Sequence, residues 1–195
     1  MIKEITNYLE QHPVILNFLR KFLEGGHKGE IEVIKRELPD RLERRALDLG
    51  CGTGVFSPFF GKDYAGVDIS EAYINYARRR YNKTFKAMDA RRLAFPGQSF
   101  DIVWVNGVLH HLDDASVRQI LKEIKRVLKT GGRVIIMEDT PGVKFISKIV
   151  RSLDAGGYIR PAEGYRRLIR EQFIIRKEYP LRTGVCDYQV FVINI

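Results

Sequence analysis

Cysteine is scarce in this 195-residue chain, where Cys51 and Cys186 are the only two. Two thiols so far apart, with no CxxC pair, provide neither a disulfide framework nor a thiolate metal site. No apolar run reaches the length of a bilayer span. The opening residues Met1-Ile2-Lys3-Glu4-Ile5 lack the basic-then-apolar layout of a secretion signal. These absences predict a cytoplasmic protein with reduced thiols and no bound metal. Internal repeats, linkers and low-complexity tracts are also missing, so one domain over residues 1–195 is expected. Nor do aromatic and basic residues interleave as in an RNA-stacking module.

A hydrophobic share of 45% beside 29% charged residues suits a packed domain and excludes a disordered chain. The compositional excess is positive charge, +9 net, which raises nucleic acid as a partner. The arginines nevertheless fall in small groups: Arg41/Arg44/Arg45, Arg78/Arg79/Arg80, Arg91/Arg92 and Arg166/Arg167/Arg170. Scattered over separate helices and loops, they read as solvated faces. Nothing in the sequence speaks to the oligomeric state.

Broken apolar stripes over residues 1–38 predict a helical arm. Pro13 opens its second helix and Gly25-Gly26 close it. A third helix runs over 28–38 with Ile31, Ile34 and Leu38 on one side. From about residue 41 strands and helices alternate. Strands are expected at 45–49, 64–67, 84–88, 100–105 and 133–137. A brief helix follows the first, over 55–60. A second spans 71–81, capped by Ser70, with Ala72, Tyr73, Tyr76 and Ala77 inward. A third spans 115–129 behind Asp114, with Val117, Ile120, Leu121, Ile124, Val127 and Leu128 at helical spacing and Gly131-Gly132 at its end. Further helices are expected at 143–153 and 161–171. Strands at 173–179 and 185–195, joined by a turn over 180–184, can pair only antiparallel. The whole reads as a doubly wound α/β sheet.

The chain is organised around Ala46-Leu47-Asp48-Leu49-Gly50-Cys51-Gly52-Thr53-Gly54. A buried strand runs into a loop with glycine at every second position. Such a loop lets a ligand approach bare backbone, with N–H groups available to point at it. Asp48, Asp68 and Asp89 stand at or near the ends of three successive strands, where ligands of open parallel sheets bind. A dinucleotide site would need G-x-G-x-x-G and a pyrophosphate. Here Asp48 precedes the glycines and would oppose a pyrophosphate, whereas it suits an ammonium or sulfonium. Asp68 matches a ribose diol, with two acceptor oxygens for two neighbouring hydroxyls. Cys51, inside the loop beside the ligand, reads as a small packing residue.

Asp48-Leu49-Gly50-Cys51-Gly52-Thr53-Gly54 resembles the D-x-G-x-G-x-G motif of class I S-adenosylmethionine-dependent methyltransferases. Gly66-Val67-Asp68-Ile69-Ser70 is similar to the ribose-binding acidic strand end of that family, and Met88-Asp89-Ala90 to its adenine-side acid. The segments FPGQSFDIVWVNGVLHHL over 95–112 and LKEIKRVLKTGGRVIIME over 121–138 follow in the family's order. The likeness spans roughly residues 45–139 and is nearest to small-molecule, type 11-like members.

This resemblance implies a Rossmann-like seven-stranded sheet with its last strand antiparallel. It implies S-adenosylmethionine as cofactor, with S-adenosylhomocysteine as product. Asp48, Gly50, Cys51, Gly52 and Gly54 would lie at the methionine part and ribose, Asp68 and Ile69 at the ribose, Asp89 and Ala90 at the adenine, and Asn106 beside the sulfonium. Only residues 55–67 separate the loop from Asp68, which is short for the family.

Methyl transfer from a sulfonium releases a neutral leaving group, so positioning and water exclusion carry much of the rate. A base is needed only for an acceptor that loses a proton. His110 and His111 are the catalytic candidates, since histidine titrates near neutral pH. Glu138 and Asp139 come second, and Tyr8, Tyr158 and Tyr165 are candidates for a pocket wall or the core. The expected function is methyl transfer to a small molecule. An RNA acceptor is the alternative suggested by charge, although Asn106-Gly107-Val108-Leu109 is no N-P-P-Y-type tetrapeptide. A non-catalytic cofactor-binding domain is the third reading.

Overall fold

The computed structural model describes residues 14, 15, 22, 23, 25–141 and 157–195. Most of the helices expected before residue 25, the candidate Tyr8, and the helix expected over 143–153 lie outside the described residues.

Seven strands form one sheet in the order β3-β2-β1-β4-β5-β7-β6. They are β1 Ala46–Leu49, β2 Tyr64–Asp68, β3 Thr84–Ala87, β4 Phe100–Asn106, β5 Leu128–Asp139, β6 Ile175–Thr183 and β7 Cys186–Asn194. The first five pair parallel, and β7 runs antiparallel to both β5 and β6. The expected sheet, including its antiparallel end, is the one observed. Central strands covered on both faces need apolar residues at every position, and β4 meets that demand from Ile102 to Val105.

Alternation along the strands divides the core in two. Leu47, Leu49, Val103, Val105, Val134 and Ile136 face α3 (Asp114–Val127) and α4 (Ala162–Arg170). Ala46, Tyr64, Ile102, Trp104, Ile135 and Met137 face α1 (Lys28–Glu37) and α2 (Glu71–Arg80). In α1 the buried side chains include Val33, Ile34 and Glu30, while Ile31 is only half-buried. In α2 they are Ile74 and Ala77, and Ala72 is exposed. The inward face of α1 is therefore as expected at Ile34 and Leu38, both fully buried, whereas that of α2 is turned from the one expected. Arg133 donates to the Glu37 carbonyl at the amino edge of the sheet, and Thr183 donates to Glu30 at the carboxyl edge. Thus α1 runs back over the sheet with its first turn beside the strand ends.

Several boundaries differ from expectation for identifiable reasons. Asp113, not Asp114, caps α3: its Oδ1 accepts from the Ser116 N–H at 2.7 Å. An extended Asp113 backbone (ψ 166°) places its carboxylate over the first turn. The helix expected over 55–60 is a single 3-10 turn, Ser57–Phe59. Gly131-Gly132 lies inside β5, because the chain extends directly from the end of α3 at Leu128. Pro180 sits in β6, an edge strand that spares it the loss of a ladder N–H, and the hairpin turns at Gly184. No helix among the described residues is long and apolar enough to cross a membrane.

Candidate functional site

The carboxyl ends of β3, β2, β1 and β4 make one continuous edge, and the candidate residues stand along it in that order. Asp89 and Ala90 follow β3. Asp68 closes β2 and Ile69 stands beyond it, 72% exposed. Asp48 lies within β1, one residue earlier than a strand end, and Asn106 closes β4.

The glycine loop turns away from β1 with Gly50, Gly52 and Gly54 all at positive φ. A side chain at Gly50 would strike Val108, whose Cγ2 would be 2.3 Å from the added carbon, so the glycine loop and the turn after β4 touch. At Gly52 an added carbon meets nothing within 4 Å. Open space there, over a backbone without a side chain, is where a ligand can lie against the chain.

The amides of Gly50, Cys51, Gly52 and Gly54 are taken up within the protein, contrary to the sequence expectation. The Gly50 and Cys51 N–H groups both donate to the Val67 carbonyl, at 2.8 and 2.9 Å. Gly54 N–H donates to the Cys51 carbonyl, and Gly52 N–H to Asp68 Oδ2 at 2.9 Å. The loop is therefore no anion nest. This suits a sulfonium-bearing nucleoside and opposes a pyrophosphate.

Asp68 binds the loop through one oxygen and the Ser70 N–H through the other, at 2.8 Å. A carboxylate oxygen can accept more than one hydrogen bond, so these contacts are compatible with a diol at the same acid. Asp89 is engaged differently: Arg91 grips both its oxygens, with 2.7 Å at the shortest, and holds its carboxyl below the usual range. An adenine amino group would share that carboxylate with Arg91. Asp48 is 2% exposed, and the Tyr64 hydroxyl donates to its Oδ2 at 2.6 Å. Burial pushes the Asp48 carboxyl up to about 7, against the Tyr64 hydrogen bond that lowers it. Burial also drives the Cys51 thiol up, so it is a protonated packing group. Asn106 is 8% exposed, and neither atom of its amide has a hydrogen-bond partner. Unsatisfied buried amides are rare, and this one closes β4 beside the glycine loop.

The turn after β4 carries His110 and His111 in a 3-10 helix, Leu109–His111. His110 is buried and His111 exposed, their ring centroids 4.1 Å apart. Glu138, fully buried on β5, accepts the N–H groups of Val108, Leu109 and His110 at 3.0, 2.8 and 3.2 Å. Its Oε2 also lies 2.9 Å from His110 Nδ1. From the other end Arg160 donates to the carbonyls of Leu109 and Leu112 and to Asp114. The turn is thus held at its amide end by an anion and at its carbonyl end by a cation, matching its dipole.

Tyr165 is fully buried, donates to the Asp139 carbonyl and belongs to the core, while Tyr158 is half exposed with its N–H on the His110 carbonyl. Among the described residues no group of acidic, histidine or cysteine side chains could hold a metal. The arginine groups are partly spent on neighbours: Arg44 on Asp40, Arg91 on Asp89, and Arg166 on Glu178.

Tyr64 and Arg160 were not visible as site residues in the sequence. For Tyr64 the available signal was β-alternation, which puts positions 64, 66 and 68 on one face. Arg160 had none, since it reaches back 51 residues to Leu109.

A family model described as "Methyltransferase domain" matches residues 47–136. An uncharacterized protein of Methanocaldococcus jannaschii is 39% identical over 111 residues, 56% of this chain and 50% of the relative. The 27-O-demethylrifamycin SV methyltransferase of Amycolatopsis mediterranei is 31% identical over 135 residues, 61% of this chain and 49% of the relative. The chain spans about half the length of these curated relatives. In fold, a Pyrococcus horikoshii protein superposes with a TM-score of 0.70 at 24% identity, covering 90% of this chain and 95% of that one. An Archaeoglobus fulgidus SAM dependent methyltransferase gives 0.71 at 17% identity, covering 92% and 99%.

Proposed function

We propose that residues 47–136, which match a methyltransferase-domain model, form a class I S-adenosylmethionine-dependent methyltransferase domain and that the chain methylates a small-molecule acceptor by in-line displacement. One observation carries the reading. Asp89 after β3, Asp68 at the end of β2 and the Gly50–Gly54 loop with Asp48 at the end of β1 follow one another along a single sheet edge, in the order in which adenine, ribose and the methionine part are joined, with Asn106 on β4 beside them.

The residues fit that cofactor. Gly52 leaves room for it, Asp68 is a carboxylate at the strand end where its ribose diol would lie, and Asn106 closes β4 beside the glycine loop. When bound, S-adenosylmethionine supplies an electrophilic methyl group on a neutral leaving group. The protein's part is to hold the acceptor in line and exclude water. Where the acceptor loses a proton, His110 receives it. With its Nδ1–H donated to Glu138, Nε2 is the basic nitrogen, and the buried carboxylate stabilises the charge that forms. His111, exposed beside it, lines the approach. The relatives with named reactions act on small molecules, which supports the same class here.

The test is to incubate the protein with methyl-labelled S-adenosylmethionine and cell extract, then fractionate into small molecules, lipid, RNA and protein. Label in the small-molecule fraction is expected. Label confined to RNA, or no transfer with tight binding of S-adenosylhomocysteine, would contradict the reading.

A further inference from the structure

Asp48 is the buried acid nearest to where the amino-acid end of the cofactor would lie, and the structure gives it a partner from the neighbouring strand. Asp48 on β1 stands directly opposite Gly66 on β2. A Cβ at Gly66 would lie 2.9 Å from the Tyr64 hydroxyl and 2.9 Å from Cys51 Sγ. The missing side chain is what lets the Tyr64 hydroxyl pass along the sheet face to Asp48 Oδ2, at 2.6 Å. Tyr64 is itself fixed by Phe60 and Phe85, at ring-centroid distances of 5.7 Å each. Tyr64, Gly66 and Asp48 thus form one device with a single rotamer for the acid.

We propose that Tyr64 is a positioning residue: it holds Asp48 toward the ammonium of the cofactor's amino-acid end and sets the pH range over which the cofactor binds. The inference rests on the cofactor reading above. It follows from linkage. A cation arriving beside a buried carboxyl favours the ionised form, so binding requires Asp48 to lose its proton. A field suffices, and the contact can run through a water. Tyr64 donates only to the ionised or neutral acid and never competes for the proton, because burial and Asp48 keep its phenol well above the ordinary tyrosine range.

Among the described residues the groups that act on Asp48 are as follows. From β2 come Tyr64 and Asp68, whose charge raises the Asp48 carboxyl. From the glycine loop comes Cys51, a neutral thiol over the working range. Tyr81, beyond Phe85, acts on Tyr64. On β4 the residue opposite Asp48 is Trp104, which does not titrate. The helices pack Val33, Ile34 and Leu38 from the α1 segment and Ile74 and Ala77 from α2 on this face, and the titratable groups there are the buried Glu30 and His27 at the start of α1, with His27 on Phe56 and Phe56 on Trp104.

The experiment is calorimetry from pH 6 to pH 8.5 with two probes. S-adenosylhomocysteine carries the amino acid, and 5′-methylthioadenosine lacks it. With the Asp48 carboxyl at about 7, S-adenosylhomocysteine should bind the native protein about tenfold more weakly at pH 6 than at pH 8. Methylthioadenosine should bind equally at both. Tyr64→Phe removes a donor that favours the carboxylate, so the S-adenosylhomocysteine curve should move up by about one pH unit or more. Its affinity should fall several-fold near pH 7, recover toward the native value at pH 8.5, and leave methylthioadenosine unchanged. Asp48→Asn should flatten the profile.

A flat native profile overturns the inference. So does an equal loss at every pH in Tyr64→Phe, or a parallel loss of methylthioadenosine, either of which marks a purely structural role. If neither nucleoside binds at any pH, the cofactor reading itself falls.

Discussion

The two halves of the sheet edge are assembled in different ways. Around β1 and β2, contacts are short in sequence: Gly52 reaches Asp68, and Tyr64 reaches Asp48, each across 16 residues. Backbone amides and two carboxylates do the holding, and the glycine loop closes on itself. Around β4 and β5, the His110 turn is held by groups 28 to 51 residues distant, Glu138 on one side and Arg160 on the other. The first half is a fixed cradle whose parts belong to two neighbouring strands and the short connection between them. The second is a turn suspended between elements that come from different parts of the chain. A cradle for a constant ligand needs only local order. A turn that meets a variable acceptor takes its placement from later segments of the chain, which can differ without disturbing the cradle.

The largest expected effect tests whether the second half is suspended as described. Glu138→Ala would leave three backbone N–H groups and the His110 ring without their buried acceptor. It should cost about 3–5 kcal/mol of unfolding free energy. In denaturant unfolding the midpoint drops accordingly. On protein that remains folded, S-adenosylhomocysteine affinity should stay within about threefold, since the cradle makes no use of Glu138. A large loss of affinity in parallel would mean that the two halves are one unit.

The next effect sharpens the other half. Asp48 is buried with its carboxyl raised from 3.8 to about 7. The folded chain therefore holds a proton that the unfolded chain has released between those values. Stability from this group falls as pH rises through that window and is level above it. Asp48→Asn, which cannot ionise, should escape that loss. At pH 8 without ligand it should be more stable than the native protein by on the order of 2–4 kcal/mol, with the difference closing toward pH 4. Urea unfolding at several pH values measures this. An unchanged difference across the range would contradict the burial argument. The same variant should bind S-adenosylhomocysteine more weakly, so that the cradle trades stability for its ligand.

The smallest of these effects is Asp68→Ala. It removes the acceptor for the ribose and frees the Gly52 amide. Binding of S-adenosylhomocysteine should weaken by about 1–3 kcal/mol in calorimetry. Unchanged affinity would rule out the ribose assignment.

The same contrast explains what could be read from the sequence. The cradle was legible because glycine spacing and strand-end acids are local signals, and the doubly wound sheet followed from the alternation of strands and helices. Its hydrogen bonding was not: whether the amides of Gly50, Cys51 and Gly52 face a ligand or Val67 and Asp68 depends on the register between β1 and β2. The inward face of α2 was misplaced because Ala72, Tyr73 and Tyr76 are apolar enough to compete with Ile74 for burial. The cap of α3 was off by one in Asp113-Asp114, where the two residues are chemically identical and only ψ distinguishes them. His110 and His111 could be named, but not told apart. Their different burial comes from Glu138 and Arg160, which no local pattern connects to them.

The account stands or falls on the order of ligand parts along the sheet edge. A crystal structure with S-adenosylhomocysteine tests it most directly. The account predicts the ribose diol on Asp68, the adenine at Asp89 and Ala90, and the sulfur beside Asn106, with the backbone of Gly52 against the nucleoside. A nucleoside in the reverse direction, or seated away from the ends of β1 and β2, would contradict it.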